Sequence, residues 1–258
     1  MSDGIMTMNA ENSISNETKL YGLISENAQQ NRLFVFINRL IKKAGSNGMI
    51  IPMNIRPDDF YFTLSNMKKS HVNGAWIDRQ YQKDTLDIID SKDKMVEISG
   101  LCDFVTREAE TLHGTYLLPN SIKSFVKEHK AEKIAIIGAE GMAEAIVCVL
   151  KDKQLALFDP EIERILNISQ NQGIEVDINR LTNENEIDLK SYDLVINTLD
   201  IDVFKGITKL SPICLDLRDD RDDALHIMAS LDNDVEYFDY TSLLETISEN
   251  LFNNIIKE

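Results

Sequence analysis

The chain has 258 residues, of which 43% are hydrophobic, enough to bury a sizeable core in one large domain or two smaller ones. Its formal net charge is −16, from 43 acidic against 27 basic residues, and a field of that sign repels phosphate backbones and anionic lipid. Nucleic acid and membranes are therefore not expected partners, and no apolar run approaches the roughly 20 residues that cross a bilayer.

The start, "MSDGIMTMNAENSISNETK", lacks the basic and apolar blocks of a secretion signal and reads as a flexible tail over residues 1–18. "KLYGLI" is a strand candidate. "NRLFVFINRLIKKAG" has helical spacing and stops at Gly45. "GMIIPMNI" reads as a second strand, and "PDDFYFTLSNMKKS" as a helix entered through Pro57 and two acidic residues. "VNGAWID" suggests a third strand and "QKDTLDIID" a helix, with two short strands about "MVEISG" and "LHGTYLL".

From Pro119 the rhythm is more regular. "NSIKSFVKEH" is helical, with Asn120 or Ser121 as its cap. Then come strand "KIAIIGA", helix "GMAEAIVCVLKD", strand "QLALFD", helix "PEIERILNISQNQG", and strands "EVDINRL", "YDLVINTL" and "PICLDLR". Apolar runs without alternation suit a parallel sheet covered on both faces, and the intervening helices make it a doubly wound α/β domain. "TSLLETISENLFNNIIK" closes the chain as an amphipathic helix. Cys102, Cys148 and Cys214 are widely separated in or beside apolar runs, so buried free thiols and a reducing cytoplasm are expected.

The turn "GAEGMAEAI" sits between strand and helix, where a dinucleotide's pyrophosphate would rest. Gly138 makes the bend, and Ala139, Gly141 and Met142 continue it. Asp159 ends the next strand at the place of a ribose-diol acceptor, which favours NAD over NADP. Glu140 stands where glycine is usual and brings negative charge, as does Glu144 one helical turn on. The turn therefore reads either as a nicotinamide-nucleotide site or as a Rossmann-like fold that binds none.

The order of these words resembles the shikimate dehydrogenase family. "GAEGMAEAI" is similar to that family's "GAGGAARAI", "YDLVINTL" to "DLVINAT", and "VNGAWIDRQYQK" occupies the place of "GxNVTxPxK". "SGLCDFV" matches "AGAVNTL", "LHGTYLLPNSIKSF" matches "LxGxNTDGxGF", and "DYTSLLETISENLF" matches the final "GxxMLVxQAxxxF". The resemblance runs from about Lys19 to the last helix. It implies an α/β substrate-type domain over 19–118, completed by the helix of 240–258, a Rossmann-like domain over 119–239, and a small-molecule ligand in the cleft between them.

The family's polar chemistry is mostly replaced at the matching positions. Its proton-transfer lysine falls on Gln82 and its aspartate on Leu118. Its paired serines fall on Asn31 and Leu33, the asparagine of "AVNT" on Asp103, and the asparagine and threonine of "NVT" on Trp76 and Asp78. The glutamine of the final helix becomes Ile247. Buried hydroxyls would lose partners at about 1–3 kcal/mol each, so shikimate is not the expected ligand.

Lys83, beside Gln82, and Asp103 are the candidates for a relocated proton-transfer pair. Arg79 and Tyr81 flank the old lysine position and could contact a carboxylate. The four histidines are scattered, so no metal site is expected, and "LRDDRDDALH" reads as a solvated loop and helix start. Three functions compete: an NAD(P)-dependent oxidoreductase of a biosynthetic pathway with another substrate, a noncatalytic pseudoenzyme acting as a binding partner, and a cofactor-independent enzyme reusing the cleft. Oligomeric state is open, with a homodimer one possibility.

Overall fold

A computed structural model describes residues 17–182, 186–199, 207–218 and 229–256. Most of the N-terminal tail and of the acidic stretch after Arg218 fall outside the described residues. The chain forms two six-stranded sheets with helices on their faces.

The first sheet contains β1 (Lys19–Ser25), β2 (Gly48–Asn54), β3 (Val72–Ile77), β4 (Ser91–Lys92), β5 (Phe104–Glu108) and β6 (Thr111–Thr115), in the order β2-β1-β3-β5-β6-β4. β1 pairs in parallel with β2 and β3, while β3–β5 and β5–β6 are antiparallel. Helix α1 (Leu33–Ala44) buries Leu33, Ile37 and Ile41, an i, i+4, i+8 stripe that makes it amphipathic. It ends where Gly45 takes a left-handed conformation at φ 66° and returns its N–H to the last carbonyls. Helix α2 (Pro57–Met67) begins at proline with Asp58 and Asp59 in its first turn, both favourable at a helix start.

Two local expectations are corrected. "MVEISG" is not a strand but the short helix α3 (Lys94–Ser99): Asp93 accepts the Val96 N–H at 2.8 Å, and Gly100 closes the other end at φ 64°. Its apolar residues mimicked strand alternation, while the caps carried the decisive signal. "QKDTLDIID" forms no α-helix but a 3-10 turn, Asp84–Asp87, which follows another at Arg79–Tyr81 capped by Asp78. Strand β5, within "DFVTRE", was not anticipated.

Helix α4 (Leu118–Glu128) leads into the second sheet; Leu117 occupies its N-cap position, upstream of the expected Asn120 or Ser121. That sheet contains β7 (Lys133–Ile137), β8 (Gln154–Asp159), β9 (Asp177–Arg180), β11 (Leu194–Asn197), β13 (Ile213–Asp216) and β14 (Glu236–Asp239). Helices α5 (Met142–Val149) and α6 (Ile162–Gln172) connect its first three strands, and β10 (Ile187–Asp188) pairs separately with β12 (Ile207–Lys209). All pairings in the large sheet are parallel, in the order β14-β13-β11-β7-β8-β9. Counted within the sheet, this is the 3-2-1-4-5-6 Rossmann order, and its topological switch point lies between β7 and β11.

Alternate residues of these strands enter two different cores. Ile134, Ile136, Leu194 and Ile196 join the large cluster that also contains the first sheet's core. Ala135, Ile137, Val195 and Cys214 face a second cluster on the other side. A sheet buried on both faces explains the unbroken apolar runs. The final helix α7 (Leu244–Leu251) packs on α1 and α4, with Leu244, Ile247 and Leu251 buried. Among the described residues no helix is long and apolar enough to cross a membrane.

Candidate functional site

The glycine turn leaves β7 at the switch point. Gly138 has φ +107°, and a Cβ there would collide with the Thr198 hydroxyl and come within 3.2 Å of Leu199. The loop after β11 is held against it: Thr198 donates through both N–H and Oγ1 to the Ile137 carbonyl, at 2.9 and 2.8 Å. Asn197 Nδ2 donates to Asp216 at 2.9 Å, and its Oδ1 accepts the Leu199 N–H at 3.1 Å. Ala139 is buried, and Gly141, at φ +50°, occupies the N-cap of α5. The start of that helix, with Gly141, Met142 and Glu144, therefore borders the space before the turn, while the Ala143 N–H is taken by the Glu140 carbonyl at 3.0 Å.

That space is a cavity of about 970 Å³. One wall is the loop after β3, with Arg79, Gln82 and Lys83; a second comes from Glu97–Leu101; the third is the turn with Glu140, Gly141, Met142, Glu144, Arg164, Thr198 and Leu199. Arg79 ties the two halves together, donating from Nη1 to the Leu217 carbonyl at 2.6 Å, just beyond β13. The first wall is further fixed by Asp78, which accepts the Ser25 hydroxyl at 2.5 Å and the Arg79 N–H at 3.0 Å.

Glu140 does not stand as a bare charge on the turn. Arg164, in α6, meets it through Nε at 2.9 Å, Glu161 through Nη2 at 3.2 Å, and Asp159 through Nη1 at 3.9 Å. Asp159 is fully buried at the tip of β8, and its Oδ1 accepts the Glu161 N–H at 2.9 Å. Burial raises the Asp159 carboxyl above its ordinary range, opposed by the Glu161 N–H, by Arg164 and by the Ala139 N–H. Glu144 is also raised, by burial first and then by the Glu140 charge.

The expected site residues separate into two groups. Lys83, Gln82, Gly141 and Met142 line the cavity. Asn31, Trp76, Asp78, Asp103, Leu118 and Ile247 do not, and neither do Gly138, Ala139 and Asp159, which belong to the turn and the tip of β8 without entering the lining. Trp76, Leu118 and Ile247 belong to the apolar core, and Asn31 accepts the Leu33 N–H at 2.9 Å beside the start of α1. Of the positions matching the family's polyol-binding groups, Leu33, Trp76 and Ile247 are thus filled with apolar packing, while Asn31, Asp78 and Asp103 are engaged in hydrogen bonds within the fold.

Asp103 is not brought to the cavity with Lys83. It is fully buried, and its two oxygens accept the N–H groups of Leu117 and Leu118 at 2.7 and 2.9 Å, fixing the start of α4. Burial pushes its carboxyl up to about 7 despite those donors. A folded pKa raised above the unfolded value contributes stability that is complete below the unfolded pKa and lost as pH rises through the folded one. The stability of wild type relative to Asp103→Asn is therefore expected to fall by about 1.4 kcal/mol per pH unit between about pH 4 and 7. Urea melts of both proteins across that range check it; a constant difference contradicts it.

Sequence reasoning singled out neither Arg164 nor the Glu97–Leu101 wall, because each reaches the turn through tertiary packing. The signal for Arg164 was a cation in the first turn of the helix after Asp159, where acidic residues are usual. Among the described residues no group of His, Cys, Asp and Glu is arranged to hold a metal ion.

The strand order, the glycine turn and the interdomain cavity define a two-domain α/β protein of the Rossmann type. No established family profile matches the chain. A shikimate dehydrogenase (NADP(+)) of Aquifex aeolicus (strain VF5) is 23% identical over 194 residues, covering 73% of this chain and 70% of the relative. Among solved structures, a shikimate dehydrogenase in complex with NADP+ superposes with a TM-score of 0.71 at 17% identity, covering 96% of this chain and 99% of the other. The ligand-free 5-ketofructose reductase of Gluconobacter sp. strain CHM43 gives 0.69 at 16% identity, with 93% of each chain covered. These structures share the fold, and in sequence the chain is similar to shikimate dehydrogenases at about 23% identity.

Proposed function

We propose that the protein is an oxidoreductase that takes a nicotinamide dinucleotide, NAD in preference to NADP, and acts on a small molecule other than shikimate. The observation that carries this reading is the cavity itself, which sets Lys83 opposite a glycine turn at the switch point of a Rossmann sheet. The residues present fit such a group. Gly141 and Met142 line the cavity at the start of α5, where a pyrophosphate would lie, and Asp159 ends β8 at the place of a ribose-diol acceptor. When bound, the dinucleotide would supply or accept hydride. The N–H groups at the start of α5 would hold its phosphates, and Lys83 Nζ would carry the accompanying proton.

The substrate differs from shikimate because Trp76, Leu118 and Ile247 are buried apolar residues at the places matched to the family's hydroxyl-holding or proton-transfer groups. One observation favours a second reading, a binding protein without catalysis: Asp103 caps a helix, leaving Lys83 without that carboxylate at the cavity.

Thermal melting with added nucleotide tests the proposal. At a hundredfold excess over Kd, binding stabilises by about 2.7 kcal/mol, a rise of roughly 5–10 °C for a chain of this size. NADH is expected to produce it at lower concentration than NADPH. No rise at millimolar concentrations of either nucleotide would remove the oxidoreductase reading.

A further inference from the structure

We infer that Glu140 sets which nucleotide the cleft accepts, by holding Arg164 away from a third phosphate. The inference rests on the nucleotide reading above. Arg164 lines the cavity beside the tip of β8, where the ribose of a bound dinucleotide would sit, and a cation there would ordinarily welcome a 2′-phosphate. Here all three of its guanidinium nitrogens face carboxylates of the protein: Glu140 at 2.9 Å, Glu161 at 3.2 Å and Asp159 at 3.9 Å. Arg180, beside Asp159 on β9, donates its Nε to the Pro160 carbonyl at 3.3 Å. Three carboxylates around one guanidinium leave the corner negative, so a ribose diol is accepted and a dianionic phosphate is repelled.

The unusual letter in the turn thereby acquires a role. Glutamate at 140 reaches across to α6 and closes the turn with an ion pair whose partners remain partly exposed, 32% for Arg164 and 66% for Glu140. Asp159, buried at the tip of β8, supplies the third carboxylate of this corner.

The test is equilibrium binding of NADH and NADPH, followed by nicotinamide fluorescence, to wild type, Glu140→Gln and the double variant Glu140→Gln/Arg164→Gln. Glutamine keeps the side chain's shape, so the turn's geometry is retained while its charge is removed. Glu140→Gln is expected to tighten NADPH about tenfold and NADH no more than about threefold. The double variant is expected to lose the gain for NADPH.

Equal tightening of both nucleotides would place Glu140 on the shared pyrophosphate and overturn the inference. So would a gain for NADPH that survives in the double variant, or a wild type that already prefers NADPH; these outcomes leave the nucleotide reading intact. No binding of either nucleotide to any of the three proteins overturns both.

Discussion

Replacing Gly138 with alanine is expected to lower the melting temperature by roughly 6–12 °C and to abolish nucleotide binding. At φ +107° a side chain is strained at a cost of about 1–3 kcal/mol. The new Cβ also meets Thr198, whose hydroxyl is committed to the Ile137 carbonyl at 2.8 Å, so relief requires breaking that bond or moving the loop after β11. Together the two effects come to about 3 kcal/mol, and each kcal/mol moves the melting temperature by about 2–4 °C in a protein of this size. Circular dichroism melts and nucleotide titration of the variant provide the readout. A variant that melts within a degree of wild type would mean that this turn is not held as described.

Trp76→Ala is expected to cost about 3–5 kcal/mol, the range for removing a large aromatic from a core that cannot collapse around the gap. Trp76 is 1% exposed and among the largest fully buried side chains. It lies on β3 opposite Leu23 of β1 and Phe104 of β5, so both neighbouring strands brace it. Its indole Nε1 has no hydrogen-bond partner, which marks packing rather than polar recognition as its contribution. Urea denaturation measures the loss. A change below about 1 kcal/mol would mean that the residue stands in an open cleft instead.

How much was legible beforehand follows from what kind of information each feature needs. The second sheet was readable because its strands are continuous apolar runs separated by helices, a pattern written locally along the chain. Helix α3 was misread because six residues carry too little periodicity to outweigh strand-like alternation; Asp93 and Gly100, its two ends, were the better guide. The glycine turn announced its backbone geometry but not its electrostatics. Glu140 looks like an uncompensated charge until α6 packs beside β8 and delivers Arg164. Asp103 shows the converse limit: an acidic residue amid apolar neighbours suggests chemistry, yet two backbone N–H groups account for both of its oxygens. Lys83 could be placed only once the loop after β3 was seen to form a cavity wall, with Arg79 tying it to the other sheet.

The central claim is that a nicotinamide dinucleotide occupies the cleft at this turn. Trp76 is the chain's single tryptophan, so its emission reports from one known place in the first sheet. Excitation of Trp76 during a titration with NADH measures the claim most directly. The account predicts saturable quenching of the tryptophan with matching sensitised nicotinamide emission in wild type, and neither signal in Gly138→Ala. Absence of transfer in wild type at millimolar NADH, or equal transfer in both proteins, would contradict it.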